Sequence, residues 1–178
     1  FPPADFKVAS ASTPQAQAAT AAKDYDRPEA MKQPTFWILW FLYIIGAMAG
    51  LMAIGIAAPV GKELKLSTGL AATALQVFAL FNFAGRPTFG WLTDKLKPRN
   101  TAILSFVVIA LATGLLYTSK SIGMYFVAFS LLWFTLGGWL AIAPTATKTF
   151  FGTKYYGKNY GVIFTAYGIA AILGTLLS

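Results

Sequence analysis

The sequence contains no cysteine and no histidine. Their absence excludes disulfide bonds, metal sites built from thiolates or imidazoles, and nucleophilic sites of the Cys-His and Ser-His-Asp kinds. The apolar runs also show no acid-base pair or metal-ligand cluster of the sort that a membrane-embedded enzyme needs. We therefore expect no catalytic residue, no metal and no cofactor, and we expect that the protein is not an enzyme.

Charged residues are scarce, because only 11% of the 178 residues are charged while 57% are hydrophobic. Soluble domains carry roughly 25% charged residues, so water is not the main solvent of this chain. Fourteen Lys and Arg stand against six Asp and Glu, for a net charge of +8. In a soluble protein this excess would suggest nucleic acid, but the basic residues lie between apolar runs and accompany no recognition motif. We expect no nucleic-acid partner.

A polar segment precedes five apolar runs. Residues 1–33 are rich in Ala, Ser, Thr, Pro and Gln without an apolar period, which is typical of a mobile linker. Residues 36–58 carry no charge and, at about 1.5 Å per residue, are long enough to cross a hydrocarbon core of about 30 Å. Further runs cover 69–92, 101–118, 122–145 and 160–178. The pattern predicts an all-α integral membrane protein, in which residues 34–178 form a bundle of five transmembrane helices within a lipid bilayer.

The basic residues predict the orientation of these helices. Cytoplasmic loops of membrane proteins carry the excess of Lys and Arg. Alternate connections hold eleven of them: Lys7, Lys23, Arg27, Lys32, Arg86, Lys95, Lys97, Arg99, Lys148, Lys154 and Lys158. The other connections hold three: Lys62, Lys65 and Lys120. The linker and the turns near residues 85–100 and 148–160 are therefore predicted to be cytoplasmic, and the short connection at residues 119–121 is predicted to face outward.

Arg86, counted above with the turn near residues 85–100, also lies within the run 69–92, and it is the one charged residue inside a predicted span. It lies eight residues before Asp94, or about 12 Å along a helix axis. One interpretation is that its long side chain extends to the inner headgroups. The other is that it binds an anion, because a guanidinium grips a carboxylate through two parallel hydrogen bonds and no carboxylate lies in the spans to neutralise it. Asn82, four residues earlier on the same helix face, would add a donor.

Aromatic residues form rows at helical spacing in the last two spans. Tyr160, Phe164 and Tyr167 form one row, and the other contains Trp133 with Phe126 and Phe129. Such rows are typical of packing or of an interfacial belt. The alternative is that Trp133, Phe164 and Tyr167 line a substrate site, with Tyr167 the strongest candidate because its hydroxyl lies deep in its span. Glycines such as Gly46, Gly50, Gly137 and Gly138 predict close helix packing.

The stretch "GWLTDKLKPR" resembles the cytoplasmic-loop motif of the major facilitator superfamily, Gly-x-Leu-x-Asp-Arg-x-Gly-Arg-Arg. The residues that match are Gly90, Leu92, Asp94, Lys95 and Arg99, while Lys97 and Pro98 replace the second glycine and the arginine after it. The resemblance implies that Gly90 lets two helices cross closely. It also implies that Asp94, with Lys95 and Arg99, caps a helix or forms an ionic latch that breaks when the halves of the carrier rock.

The longer stretches "FNFAGRPTFGWLTDKL" and "FFGTKYYGKNYGVIFTAYGIAAILG" resemble the oxalate/formate antiporter family of that superfamily. The resemblance covers nearly all of residues 31–178 and implies that the five spans are helices seven to eleven of twelve. Residues 1–33 would then be the loop between the halves, and the N-terminal half of the same chain would be missing. The resemblance further implies that Arg86 binds the substrate carboxylate, and that Tyr167 stands where oxalate carriers have a second cation, a lysine. One cation and a hydroxyl suit a monocarboxylate better than oxalate.

Together these features predict a carrier of the cell inner membrane that moves small carboxylate anions by alternating access. Its predicted substrate residues are Arg86, Asn82, Tyr167, Trp133 and Phe164, and its predicted gating residues are Gly90, Asp94, Lys95 and Arg99. An alternative function is a membrane sensor or assembly protein that keeps the carrier fold and binds an anion without moving it.

Overall fold

The computed structural model describes residues 23–118 and 120–178, and these residues form five helices. The helices are α1 (Arg27–Met31), α2 (Pro34–Glu63), α3 (Thr68–Thr118), α4 (Ile122–Phe151) and α5 (Tyr156–Leu176). Residues 1–22 of the predicted linker and Ser119 of the predicted outer connection lie outside the described residues. Residues 23–33 also belong to the predicted linker, and they include the short helix α1.

Helices α2 to α5 are each long and apolar enough to cross a membrane, with mean hydropathies of 2.2, 2.0, 1.9 and 1.4 over their most apolar windows. Large apolar side chains cover the outer surface of the bundle, and Leu80, Phe83 and Leu111 are each more than 60% exposed. A surface of this kind is stable against lipid and not against water. The prediction of an all-α membrane protein is confirmed.

Helix α3 contains 51 residues and is broken at Lys97, whose backbone angles are φ 68° and ψ 154°. Pro98 explains the break, because a proline forces the residue before it out of the helical conformation and supplies no N–H to the helix. The break divides α3 into a first arm, residues 68–96, and a second arm, residues 98–118. The sequence predicted a turn here, and the structure turns at this one residue.

The helices α2 and α4 extend beyond the apolar runs that predicted them. Helix α2 begins at Pro34, a residue well suited to the first turn because its missing N–H would have no helical partner there. Helix α4 begins after Ser121, whose hydroxyl accepts a hydrogen bond from the N–H of Met124 at 3.2 Å. The extra turns carry polar and basic residues such as Lys62 and Lys148, which hydropathy alone cannot assign to a helix.

Helix α4 lies at the centre of the bundle, where it packs on α2 and on both arms of α3, while α5 packs mainly on α2. Glycines make these approaches close, as their spacing predicted. A Cβ atom on Gly46 would overlap the indole of Trp139, and one on Gly50 would lie 2.5 Å from Cβ of Leu136. Because lipid gives helices no hydrophobic reason to associate, such close backbone contact supplies the packing energy of the bundle.

Candidate functional site

Arg86 lies on the first arm of α3, where its side chain is exposed. Its neighbour Gly85 is buried against the backbone carbonyl of Phe134 in α4. Within residues 23–118 and 120–178 the one ion pair joins Lys120 to Glu63, at 3.7 Å, far along the chain from this helix face. The positive charge of Arg86 therefore has no carboxylate partner in the described part of the chain.

The crossing of α3 and α4 beside Arg86 depends on three glycines. A side chain on Gly85 would overlap the carbonyl of Phe134, and one on Gly137 would overlap the carbonyl of Asn82. On the same face, a Cβ atom on Gly138 would lie 2.5 Å from the ring of Phe89. The two backbones are therefore almost in contact, and this contact fixes the part of α3 that carries Arg86.

Asn82 bonds to another of the predicted substrate residues. Its side-chain Nδ2 donates a hydrogen bond to the backbone carbonyl of Trp133 at 3.0 Å. The Trp133 ring packs on Phe78, with 5.7 Å between ring centroids, and among the described residues its buried Nε1 has no hydrogen-bond partner. One amide hydrogen of Asn82 is thus used to join α3 to α4, and the structure places Asn82 and Trp133 together.

Phe164 and Tyr167 form a second group, on α5. Their rings are stacked, with centroids 5.6 Å apart and an angle of 3° between the planes. Tyr43 of α2 contacts both rings, at 6.1 Å from Tyr167 and 6.5 Å from Phe164. Tyr43 is itself stacked on Trp139 of α4 at 5.9 Å. The predicted pair on α5 therefore packs on Tyr43 of α2, and Tyr43 in turn packs on Trp139 of α4.

Tyr43 and Trp139 were not among the residues predicted from the sequence. Both are fully buried, although each carries a polar atom. Sequence signals for them existed: Tyr43 precedes Gly46 by three residues, and Trp139 follows the pair Gly137 and Gly138. A large aromatic residue beside small ones on a membrane helix indicates close ring-to-backbone packing, but the partner helix is visible only in the fold.

The two groups remain separate. Within residues 23–118 and 120–178, no hydrogen bond, ion pair or ring contact joins Arg86 or Asn82 to Phe164 or Tyr167. An apolar cavity of about 480 Å³ lies among α2, the second arm of α3 and α4, where Thr35, Arg99, Trp139 and Phe150 are among its lining residues. None of the five predicted substrate residues lines this cavity.

The predicted gating residues lie around the break in α3. A Cβ atom on Gly90 would meet only Cβ of Ala141, at 3.9 Å, which is an ordinary contact. Within this bundle the close approach therefore lies five residues earlier, at Gly85, and not at Gly90. Asp94 and Lys95 are exposed on the last turns of the first arm, and Arg99 follows the break. Asp94 forms no ion pair in the described part of the chain and lies within a helix rather than at a helix cap.

The predicted substrate residues offer one cationic group, aromatic rings and a hydroxyl. An exposed guanidinium without a partner offers a planar set of donors that fits a carboxylate. Phe164 and Tyr167 offer an apolar surface and one hydroxyl. No group of three or more Asp and Glu residues that could hold a metal ion occurs within the part of the chain that the structure describes.

Comparison with known proteins gives a family match and several relatives. The model of the Major Facilitator Superfamily matches residues 3–175. The chain is 31% identical over 154 residues to the oxalate:formate antiporter of Oxalobacter formigenes, an alignment that covers 85% of this chain and 37% of that protein. It is 32% identical over 152 residues to the uncharacterized MFS-type transporter YhjX of Escherichia coli, covering 84% of this chain and 38% of the relative. A riboflavin transporter, RibJ of Trypanosoma brucei brucei, is 27% identical over 146 residues, or 78% of this chain and 26% of the relative. The chain thus spans less than two fifths of the length of these relatives.

Proposed function

Because this chain belongs to the Major Facilitator Superfamily, we propose that it forms part of a secondary carrier that moves small carboxylate anions by alternating access. The observation that carries the proposal is Arg86, an exposed arginine on a membrane helix with no carboxylate partner in the described residues. A charge in such a position costs a few kcal/mol unless a partner or water compensates it. A substrate anion would be that partner.

The similarity to an oxalate:formate antiporter supports the choice of a carboxylate. Within that class we propose a monocarboxylate. Tyr167 supplies a hydroxyl where a carrier of a doubly charged anion would need a second cation, and the five apolar runs contain no Lys or Arg other than Arg86. A single guanidinium balances a single negative charge.

We propose that α2, the first arm of α3, the second arm of α3, α4 and α5 correspond, in this order, to helices seven to eleven of a twelve-helix carrier. Arg86 would then face the interface with the N-terminal half, and Tyr167 would approach the same space from α5. The separation of the two groups in this bundle fits a site that is completed by helices from the other half. Gly90, Asp94, Lys95 and Arg99 would contact that half at the cytoplasmic side.

Flux measurements test the proposal. The full-length protein is reconstituted in proteoliposomes, and uptake of labelled formate, acetate, lactate and oxalate is measured with and without internal anion. We expect uptake of a monocarboxylate, and we expect internal anion to accelerate it. The Arg86→Gln variant should show a flux at least about tenfold lower than that of the wild type, the equivalent of about 1.4 kcal/mol. Lys62→Gln removes a charge from the exposed end of α2 and serves as the matched control.

Each outcome of the flux assay has a clear meaning. Anion uptake that Arg86→Gln abolishes and Lys62→Gln preserves supports a carrier with Arg86 at the substrate. Normal uptake by a folded Arg86→Gln variant contradicts that role for Arg86. Binding of an anion without any flux would indicate the alternative function, a sensor or assembly protein that keeps the fold.

We also propose that the carrier lies in the inner membrane with the break in α3 and the turn between α4 and α5 in the cytoplasm. The absence of cysteine in this sequence allows single cysteines to report on this orientation. In a full-length background without other cysteines, Lys154→Cys should react with an impermeant maleimide only after the membrane is opened, whereas Lys120→Cys should react in intact cells. The reverse pattern would contradict the orientation.

A further inference from the structure

The segment before α1 is hydrogen-bonded to the turn between α4 and α5. The Asp24 carboxylate oxygen Oδ1 accepts hydrogen bonds from the backbone N–H groups of Thr153, at 3.0 Å, and Lys154, at 3.1 Å. These two residues lie just before the N-terminus of α5, where the helix dipole favours a negative charge. Hydrogen bonds from N–H groups to an ionised carboxylate are stronger than those between neutral groups.

Tyr25 extends the contact with both of its backbone polar groups. Its N–H donates to the carbonyl of Phe151 at 3.0 Å, and its carbonyl accepts from Nδ2 of Asn159 at 2.9 Å. Asn159 is fully buried on the first turn of α5. A buried donor is costly unless it is bonded, and in the described residues the Tyr25 carbonyl is the partner of the Asn159 Nδ2, while Oδ1 has none.

The turn is shaped to receive Asp24. Gly152 adopts φ +80°, a conformation that side chains other than glycine rarely tolerate. A Cβ atom at this position would also overlap the Asp24 carboxylate and would approach its Cα to 2.9 Å. Glycine is therefore required at this position for two reasons, and one of them is the presence of Asp24.

The end of α4 is in contact with the same segment and with the start of α2. Phe151 contacts the ring of Tyr25, with centroids 6.2 Å apart, and the ring of Phe36 on α2, with centroids 5.5 Å apart. Between these two aromatic residues the chain forms α1, whose N-terminus is capped by Asp26 through a 3.0 Å bond to the N–H of Glu29. Residues 24–33, which we call the strap, thus join the start of α2 to the end of α4 and the start of α5.

We propose that the strap is a conformational device that makes these three helix ends move as one body during transport, with Asp24 and Tyr25 as its anchor. An alternating-access carrier opens to either side of the membrane when its halves rock against each other. If the three helix ends separated, the rocking would move these ends apart and would not reach the substrate site. Release of the anchor should therefore slow turnover and leave substrate affinity unchanged. The proposal rests on the proposed transport function, but the anchor itself can be tested without transport.

The experiment compares the full-length protein with two variants. Asp24→Ala removes the carboxylate that anchors the strap. Glu29→Ala removes one negative charge from the same segment, and in the described residues the Glu29 carboxylate forms no ion pair with the turn. Hydrogen exchange of the Thr153 and Lys154 amides is measured in detergent, and turnover and KM for the transported anion are measured in proteoliposomes.

We expect Asp24→Ala to accelerate exchange of the two amides about tenfold or more, since each loses a charge-assisted bond. We expect its turnover to fall several-fold at constant KM, while Glu29→Ala matches the wild type in both assays. Unchanged exchange in Asp24→Ala would overturn the anchor, whatever the protein transports. Faster exchange with unchanged turnover would overturn the functional role of the strap, and absence of flux in the wild type would count against the proposed function alone.

Discussion

The side chain of Asn82 is bonded to the backbone carbonyl of Trp133, with Nδ2 and O 3.0 Å apart, so two residues expected to face a substrate are partners of each other. The bond joins α3 to α4 one helical turn before Arg86. The bond lies at the close crossing of the two helices, on the same stretch of α3 as Arg86. Its amide keeps a second N–H and the carbonyl oxygen for other contacts.

Because α3 and α4 cross so closely, we expect one added methyl group at the crossing to lower the stability of the protein. Gly137→Ala would place Cβ against the carbonyl of Asn82, and we expect it to reduce the free energy of unfolding by about 1–3 kcal/mol, as in other overpacked interfaces. Thermal unfolding of the full-length protein in detergent measures the change. Gly114→Ala is the control, since outside the adjoining stretch of its own helix no atom of the described residues lies within 4 Å of a Cβ placed there. Equal stability of the two variants would contradict the crossing.

Lys97 predicts a stabilising substitution. Its φ of 68° is costly for a residue with a side chain and acceptable for glycine, which is also the residue that the superfamily motif has at this position. We expect Lys97→Gly to raise the free energy of unfolding by about 1 kcal/mol. Lys95→Gly, two residues earlier in regular helix, should instead lower the free energy by up to about 1 kcal/mol. Changes of the same sign in the two variants would contradict the break at Lys97.

A substitution at Tyr167 distinguishes the effect of the ring from the effect of the hydroxyl. Tyr167→Phe keeps the stack on Phe164, so we expect the free energy of unfolding to change by no more than about 0.5 kcal/mol. If the hydroxyl bonds to the substrate, KM for the anion should rise by up to about tenfold, since one such bond contributes about 0.5–1.5 kcal/mol. Transport kinetics and thermal unfolding measure the two effects. Tyr117→Phe, at a residue that is 92% exposed, is the control. An unchanged KM would remove Tyr167 from the site.

The sequence predicted the membrane-spanning helices and a turn near residues 85–100, but it predicted neither α1 nor a break confined to one residue. Apolar runs of membrane length can form only a few structures, because a backbone in lipid must satisfy its own hydrogen bonds. Pro98 explains the position of the break in the structure, although no break was predicted from it. The exact helix ends were not predictable, since Lys62 and Lys148 lie in helical turns that extend beyond the apolar runs.

The contacts between helices could not be predicted from the sequence. Asn82 and Trp133 are 51 residues apart, and nothing in their local patterns indicates that they bond. The same holds for Asp24 and Thr153, which are 129 residues apart. Tyr43 was missed because its contact with Tyr167 requires that α2 lies next to α5. The packing of the whole bundle determines which helices are neighbours.

The central claim, that Arg86 binds the carboxylate of the substrate, is tested most directly by anion-induced stabilisation of the full-length protein. A ligand that binds only the folded state adds about 2.7 kcal/mol at a concentration of 100 times its Kd. We predict that a monocarboxylate raises the unfolding temperature of the wild type, raises that of Arg86→Lys by less because lysine lacks the planar pair of donors, and leaves that of Arg86→Gln unchanged. An Arg86→Gln variant that is stabilised by the same anions as strongly as the wild type would contradict the claim.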